Sequence, residues 1–279
     1  MPDQKGTLYI CPTPIGNLED ITFRCLRILK EVNLIAAEDT RITRKLLSHY
    51  EISTPFLSYH KYTEKSRSKH IVDELLKGKS IALVSDSGTP VISDPGAELI
   101  NQAHQNNIPI VPLPGASALS CAVSVAGFVD SGFVFAGFLP KQTSKKKECL
   151  NRYSAYALPV VIYESPQRLI ATLEAIYEIY GNVLILLARE ITKYHEEIIQ
   201  NNVVEVLKYY KTRDIKGEIT IIIDKLPAKE SSLDDNQLKA IIRERLDSNE
   251  TVLTISRELS EEFNIGKNHI YKLALDLLE

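Results

Sequence analysis

The sequence has few of the features that mark a specialised class of protein. Its four cysteines, Cys11, Cys25, Cys121 and Cys149, lie far apart, without a CxxC pair or a nearby set of histidine ligands. This spacing argues against a disulfide or zinc framework and is typical of free thiols in a reducing cytosol. We therefore expect no metal site.

Long apolar runs are also missing. No stretch approaches the roughly 20 residues that span a bilayer, and the N-terminal residues lack the apolar core of a secretory signal. We therefore expect a cytoplasmic protein without membrane contact. The formal net charge of −3 argues against a basic coat for nucleic acid over the whole surface.

Common catalytic motifs are absent as well. The chain contains no GxGxxG, Walker loop, GxSxG or HExxH, so dinucleotide, P-loop, hydrolase and zinc-protease interpretations fail. What remains is an ordinary globular composition, with 44% hydrophobic and 25% charged residues over 279 positions. That length predicts two domains and an appendage.

The most informative stretch is VSDSGTPVISDPG at 84–96. It follows an apolar run at 80–84, which is typical of a buried strand, and it precedes a helical pattern at 97–104. Proline and glycine cannot continue a central strand, so the polar residues form a loop at its carboxyl end. Ligands bind at such loops in open α/β sheets, although an ordinary connecting loop has the same composition.

The order strand, loop, helix recurs from the start of the chain. Strands are predicted at 7–11, 34–37, 56–59, 80–84 and 108–113, and Asp20 is the expected N-cap of the first helix. This order predicts a parallel, doubly wound sheet. Strands at 133–140, 158–164, 183–188 and 217–224, with a short edge strand at 200–204, predict a second sheet of mixed order. The predicted domains are an N-terminal α/β domain at 1–115, a second α/β domain at 116–227 and a helical tail at 228–279.

The tail has the layout of a helix-turn-helix at 254–274. From Ser231 to Glu279 it carries ten acidic and six basic side chains. A module that reads DNA should be basic, so we expect a small structural or docking bundle and no DNA partner.

A second charged segment, at 141–152, carries five basic side chains against one acidic side chain. On its own, such a run is a solvated loop and helix start. Opposite a ligand cleft, it becomes a surface that contacts phosphates. The candidate RNA contacts are Lys141, Lys145, Lys146, Lys147 and Arg152.

Seven short motifs occur together and in order: PTPIGNLEDIT at 12–22, AAEDTR at 36–41, SDSGTPVISDPG at 85–96, VPLPGAS at 111–117, GFLP at 137–140, YES at 163–165 and ARE at 188–190. Together they closely resemble the ribosomal small-subunit RNA 2′-O-methyltransferases of the tetrapyrrole methylase superfamily, which modify a cytidine ribose in the decoding centre. The resemblance covers essentially the whole chain. One departure is Ser87, where the family pattern has alanine.

The resemblance implies S-adenosyl-L-methionine bound in a cleft between two α/β domains, small-subunit ribosomal RNA as substrate, and a homodimer. The side-chain-poor loops at three strand ends supply the predicted cofactor contacts: Pro14, Asp86, Gly88, Thr89, Ser117 and Ala118. Similarity to the superfamily adds Ala188 and a position near Thr220 in the second domain.

Methyl transfer to a ribose hydroxyl gains from positioning and from a base or a polarising cation beside a weak nucleophile. The sequence offers six candidates at strand ends: Glu38, Asp39, Arg41, Glu164, Arg189 and Glu190. Structural ion pairs, such as Arg41 with Glu190 or Glu38 with Arg189, would look the same in sequence. Two other functions remain open: a carbon methyltransferase acting on a tetrapyrrole precursor, and a non-catalytic RNA-binding subunit.

Overall fold

The computed structural model describes residues 5–226, 235–248, 250–263 and 265–278. These residues form two five-stranded sheets covered by helices, followed by a helical tail. The two α/β units and the helical tail that the sequence predicts are confirmed. The domain limits at 115 and 227 stay a prediction. Residues 228–234, at the predicted start of the tail, lie outside the described residues.

The first sheet is entirely parallel, with strand order β3-β2-β4-β1-β5. Its strands are β1 (Leu8–Cys11), β2 (Leu34–Ala37), β3 (Phe56–Ser58), β4 (Ile81–Val84) and β5 (Ile110–Pro112). All four residues of β4 are buried, because successive side chains point to opposite faces and helices cover both faces.

Two pairs of helices cover the first sheet. Helices α1 (Phe23–Glu31) and α2 (Thr40–His49) contribute buried side chains to one face, and α3 (Glu64–Leu76) and α4 (Ala97–Gln105) cover the other. The prediction that Asp20 caps α1 is wrong. The cap is Thr22, whose hydroxyl accepts from the Cys25 amide at 3.1 Å, while Asp20 lies in a preceding 3₁₀ turn.

The second sheet is mixed, with strand order β6-β7-β10-β8-β9. Its strands are β6 (Val134–Phe138), β7 (Val160–Glu164), β8 (Leu184–Arg189), β9 (Glu197–Asn202) and β10 (Ile219–Ile223). Helix α5 (Ala118–Ser124) packs on one face, and α6 (Thr143–Ser154), α7 (Leu169–Tyr180) and α8 (Val203–Lys211) pack on the other. The short edge strand predicted at 200–204 begins earlier and ends where α8 starts.

The tail contains three helices, α9 (Asp235–Asp247), α10 (Val252–Phe263) and α11 (Lys267–Asp276). They share a buried apolar cluster that includes Leu238, Ile242, Ile255, Leu259 and Ile270. The helix, turn, helix layout of the sequence is therefore present. No helix among the described residues is long and apolar enough to cross a membrane.

We expect the centre of the second sheet to be sensitive to cavity formation. Ile221 is fully buried in the middle of β10, between β7 and β8. Replacing Ile221 with alanine should lower the free energy of unfolding by about 2–5 kcal/mol, through lost burial and the cavity left behind. Urea denaturation measures the change. The control is Ile198→Ala in the same sheet, where the side chain is 44% exposed. An equal loss in the two variants would contradict this assignment of the core.

Candidate functional site

A cavity of about 370 Å³ opens where the carboxyl ends of the first sheet meet the second sheet. The first unit lines it with loops that follow β1, β2, β4 and β5, including Glu38, Asp86, Gly88, Thr89, Asp94 and Ser117. The second unit lines it with strand ends and flanking loops, including Phe138, Tyr163, Glu164, Ala188, Glu218 and Thr220. The volume lies within the range of small-molecule and cofactor sites.

The loop after β4 is held in shape by the loop after β1. The amide of Thr13 donates to the Gly88 carbonyl, and the amide of Gly88 donates back to Thr13, each at 2.9 Å. The hydroxyls of Thr13 and Ser85 donate to the carbonyls of Ser85 and Gly88 at 3.0 and 3.1 Å. These bonds occupy the hydroxyls of Thr13 and Ser85 inside the loop and fix the backbone conformation around Gly88.

Three carboxylates line the first wall: Glu38, Asp86 and Asp94. Burial raises the pKa of Glu38 to about 7, and the charge of Asp94 adds to this rise. Burial also raises the pKa values of Asp86 and Asp94. Within the described ranges, no ion pair involves any of the three. The cavity therefore favours a ligand that carries positive charge.

Glu38 and Asp86 are held by backbone amides. Asp86 accepts a hydrogen bond from the Asp39 amide at 2.8 Å, and Glu38 lies 3.4 Å from the amide of Asp86. The acid that follows β4 is therefore bound to an amide that follows β2, and the acid at the end of β2 lies beside an amide that follows β4. This crossing arrangement fixes both carboxylates at the cavity, because β2 and β4 are adjacent and parallel.

Glu164 lies on the second wall, but its carboxylate is already occupied. It accepts from the Thr172 hydroxyl at 2.5 Å and from the Ser165 amide at 2.7 Å, and Arg168 Nε lies 3.1 Å away. Its side chain is fully buried. A carboxylate with these partners acts as a structural anchor for the wall and is poorly placed to accept a further proton.

The other four candidates for catalysis do not line the cavity. Asp39 caps α2 and binds Arg41, which lowers the pKa of Asp39 to about 2. Arg189 pairs with Glu197 at 3.0 Å, and Glu190 pairs with Lys193 at 2.8 Å. The cross-cleft pairs that sequence allowed, Arg41 with Glu190 and Glu38 with Arg189, are not formed among the described residues.

The predicted cofactor contacts are brought together, with one exception. Asp86, Gly88, Thr89, Ser117, Ala118, Ala188 and Thr220 all line the cavity. Pro14 does not, and its neighbour Ile15 takes that place. Ser117 precedes α5 as its N-cap, without a side-chain cap bond. That these residues bind a cofactor stays a prediction.

The five basic residues at 141–152 do not form one exposed surface. Lys146 is only 3% exposed, and its ammonium donates to the Thr172 hydroxyl at 2.8 Å. The expectation that Lys146 contacts RNA is therefore wrong. Lys147 pairs with Glu178, and Arg152 lies over the Tyr153 ring. Lys141 and Lys145 remain exposed.

Sequence reasoning missed several residues of the cavity wall. Asp94 lies in the loop motif at 85–96, so the sequence pattern did contain a signal for this residue. Ile92 and Phe138 line the cavity and are 44% and 57% exposed. Tyr163 also lines it, and its hydroxyl accepts a hydrogen bond from the Leu119 amide at 3.2 Å. These side chains come from separate strands and loops, and no local signal in the sequence places them together.

The comparisons with known proteins agree with this architecture. The family model of the tetrapyrrole (corrin/porphyrin) methylases matches residues 7–207. The chain belongs to the tetrapyrrole methylase family. A solved structure of uroporphyrin-III C-methyltransferase from Thermus thermophilus, complexed with S-adenosyl homocysteine, superposes with a TM-score of 0.56 at 14% identity, over 79% of this chain and 98% of that one. At that identity the likeness concerns the fold alone.

Curated relatives within the family are more similar. Ribosomal RNA small subunit methyltransferase I of Halalkalibacterium halodurans is 44% identical over 80% of this chain and 77% of its own length. The protein of the same name from Synechocystis is 39% identical over 98% of each chain. The likeness to the Synechocystis protein therefore extends through the helical tail.

Gly88 should be sensitive to substitution because its φ of +86° disfavours any residue with a Cβ. An added Cβ would also lie 3.3 Å from Ile15. Gly88→Ala should lower the free energy of unfolding by about 1–2 kcal/mol. Thermal denaturation tests this against Gly127→Ala, where a Cβ meets nothing within 4 Å. Equal melting temperatures for the two variants would show that the conformation of the loop after β4 tolerates a side chain.

Proposed function

We propose that this protein transfers a methyl group from S-adenosyl-L-methionine to the 2′-hydroxyl of a cytidine in small-subunit ribosomal RNA, near the decoding centre. The relatives named ribosomal RNA small subunit methyltransferase I support the RNA substrate. The complex of the Thermus protein with S-adenosyl homocysteine supports the cofactor. The ribose position and the nucleotide rest on the motif resemblance described above.

The three unpaired carboxylates of the cavity are the observation that carries the proposal. S-adenosylmethionine supplies a methyl group on a positively charged sulfur and also carries an ammonium group. Glu38, Asp86 and Asp94 provide negative charge in a partly buried site, where electrostatic attraction is stronger than in water. The loop of Gly88 and Thr89, with Ser117 and Ala118, presents backbone to the rest of the ligand. The wall therefore fits the charge and the size of the cofactor.

Glu38 is the residue that we assign as general base. A ribose hydroxyl is a weak nucleophile, and a base works best when its pKa lies near the working pH. Glu38 meets that condition and lines the cavity. The carboxylates of Asp39, Glu164 and Glu190 are each bound to other side chains. Among the described residues, by contrast, Glu38 has only a backbone amide as partner. Asp39, Arg41, Arg189 and Glu190 do not line the cavity. We assign them a structural role, through the ion pairs that each of them forms.

The competing functions have less support. A carbon methyltransferase for tetrapyrroles shares the fold, but the relatives that match over most of the chain are named for ribosomal RNA. A non-catalytic RNA-binding subunit does not require a cavity of cofactor size lined by carboxylates. The RNA interpretation also accounts for the exposed Lys141 and Lys145.

We further propose a cytoplasmic homodimer without a DNA partner. Phe23, at the start of α1, is 92% exposed, and Tyr194 is 97% exposed. Aromatic side chains are enriched at protein interfaces, so these are two residues that we expect a second copy to cover. Light scattering coupled to size exclusion should give twice the chain mass of 31.3 kDa, and a mass of one chain at micromolar concentration would contradict the dimer.

The affinity for S-adenosylmethionine should rise with pH. Burial raises the pKa of Glu38 to about 7, so this carboxylate gains charge as pH increases from 5.5 to 8, and a bound cation favours the charged form. A decrease of about one unit in the pKa of Glu38 on binding corresponds to about a tenfold gain in affinity. Calorimetric titration measures it. S-adenosyl homocysteine lacks the sulfonium charge and should show a flatter profile, so parallel profiles for the two ligands would contradict the electrostatic account.

Glu38→Gln should slow methyl transfer in single turnovers by about 10²–10⁴-fold. With cofactor bound, the wild-type rate should rise with pH through a pKa below the ligand-free value of about 7, and the variant should lack that rise. Because folding raises the Glu38 pKa above its ordinary value of 4.5, its contribution to stability is lost as pH rises through 7. The variant should therefore be at least as stable as wild type at pH 8. Glu190→Gln is the control, with lower melting temperature and a nearly normal rate. Wild-type kinetics for Glu38→Gln would mean that positioning alone drives the reaction.

A further inference from the structure

A strongly basic surface lies at the start of α3, in a segment that the proposed site does not use. We define the basic segment as residues 60–70, which carry Lys61, Lys65, Arg67 and Lys69 against one acid, Glu64. All four cations are exposed. Within the part of the chain that the structure describes, none of them forms an ion pair. Four positive charges without an ion-pair partner among the described residues therefore face solvent in this short segment.

The acid of the basic segment does not neutralise these cations, because it points inward. Glu64 Oε1 accepts from the Gly96 amide at 2.9 Å and from the Glu98 amide at 3.3 Å, and the Tyr59 hydroxyl lies 3.3 Å away. Gly96 ends the loop that carries Asp94 in the cavity wall. Glu64 thus joins the start of α3 to the cavity loop.

An exposed aromatic ring accompanies the charges. Tyr62 is 96% exposed, and its ring meets that of His60 in a T-shaped contact at a centroid distance of 6.1 Å. Both faces of the tyrosine ring are therefore available. Unpaired bases of RNA stack on such rings, and cations beside them bind the backbone.

The position of the basic segment relates it to the cavity. It follows β3, and the carboxyl ends of the parallel strands β2, β3 and β4 lie at one edge of the sheet. The cavity opens at that same edge. When a ribose of an RNA strand is bound in the cavity, the neighbouring nucleotides on one side therefore lie near the basic segment.

The run at 141–152 is a weaker candidate for this role. Lys146 is buried there and Lys147 is paired with Glu178. The basic segment keeps all four cations unpaired, has an exposed ring among them, and is tied to the cavity loop by Glu64.

We propose that the basic segment binds backbone phosphates of the RNA on one side of the methylated nucleotide, with Tyr62 stacked on an unpaired base. This inference rests on the proposed function. Lysine acts as a point charge on phosphates without reading sequence. The segment therefore contributes to the affinity for RNA and to the placement of the RNA strand relative to the cavity. The choice of nucleotide belongs to the cavity.

The test is the salt dependence of binding to small ribosomal subunits. The variant Lys61→Ala/Lys65→Ala/Arg67→Ala/Lys69→Ala should bind about tenfold more weakly, and its log–log salt slope should be flatter by about three, at roughly 0.7 per phosphate contact. Cofactor affinity and the rate at saturating subunits should stay within about twofold of wild type. Lys61→Ala/Lys65→Ala should show about half the change in slope and serves if the larger variant folds poorly.

The matched control removes two exposed cations at the opposite edge of the first sheet, Lys5→Ala/Lys30→Ala, and is compared with Lys61→Ala/Lys65→Ala. It should keep the wild-type slope. Equal losses in the control, or wild-type affinity and slope in the basic-segment variants, would overturn the proposal. A loss with whole subunits but not with protein-free RNA would assign the surface to a ribosomal protein and also overturn it. Binding is measured without methyl transfer, so a wild-type protein that binds subunits but leaves them unmethylated contradicts the proposed function alone.

Discussion

The uncompensated negative charge of the cavity is the constraint on which the rest of the site depends. Glu38, Asp86 and Asp94 lie close together in a partly buried wall, and no cation among the described residues pairs with them. Burying like charges costs free energy that folding must offset elsewhere. The proposed binding of a positively charged cofactor would offset this cost. The raised pKa of Glu38 follows from the same burial, so the proposed cofactor binding and the proposed proton acceptance share one physical origin.

The architecture that holds these acids could be predicted from sequence because its signals are local. Alternating strands and helices predict a parallel sheet, and parallel strands place their carboxyl ends at one edge. The polar loops at 12–17, 38–41 and 85–96 are therefore expected to meet, and Ile15, Glu38 and Asp86 line one cavity. The N-cap of α1 was misplaced by two residues, because Asp20 and Thr22 are both competent caps and only the 3₁₀ turn decides between them.

Side-chain roles set by distant packing could not be predicted. Lys146 looks like its neighbours in sequence, yet it faces α7 and donates to Thr172, which in turn donates to Glu164. The same network occupies Glu164, which sequence could not distinguish from Glu38. Charge runs predict basic character, but only helix orientation decides which lysines reach solvent. This is why the cations near Lys61, and not Lys146, remain available for RNA.

The most direct test of the central claim is mass spectrometry of nucleosides from small-subunit RNA incubated with the purified protein and S-adenosylmethionine bearing a deuterated methyl group. Subunits from cells lacking the corresponding gene serve as substrate. The account predicts a deuterated 2′-O-methylcytidine, and Asp86→Asn/Asp94→Asn should reduce its yield at limiting cofactor. Deuterium on a base carbon or nitrogen, or none in the RNA while a tetrapyrrole precursor becomes labelled, would contradict it.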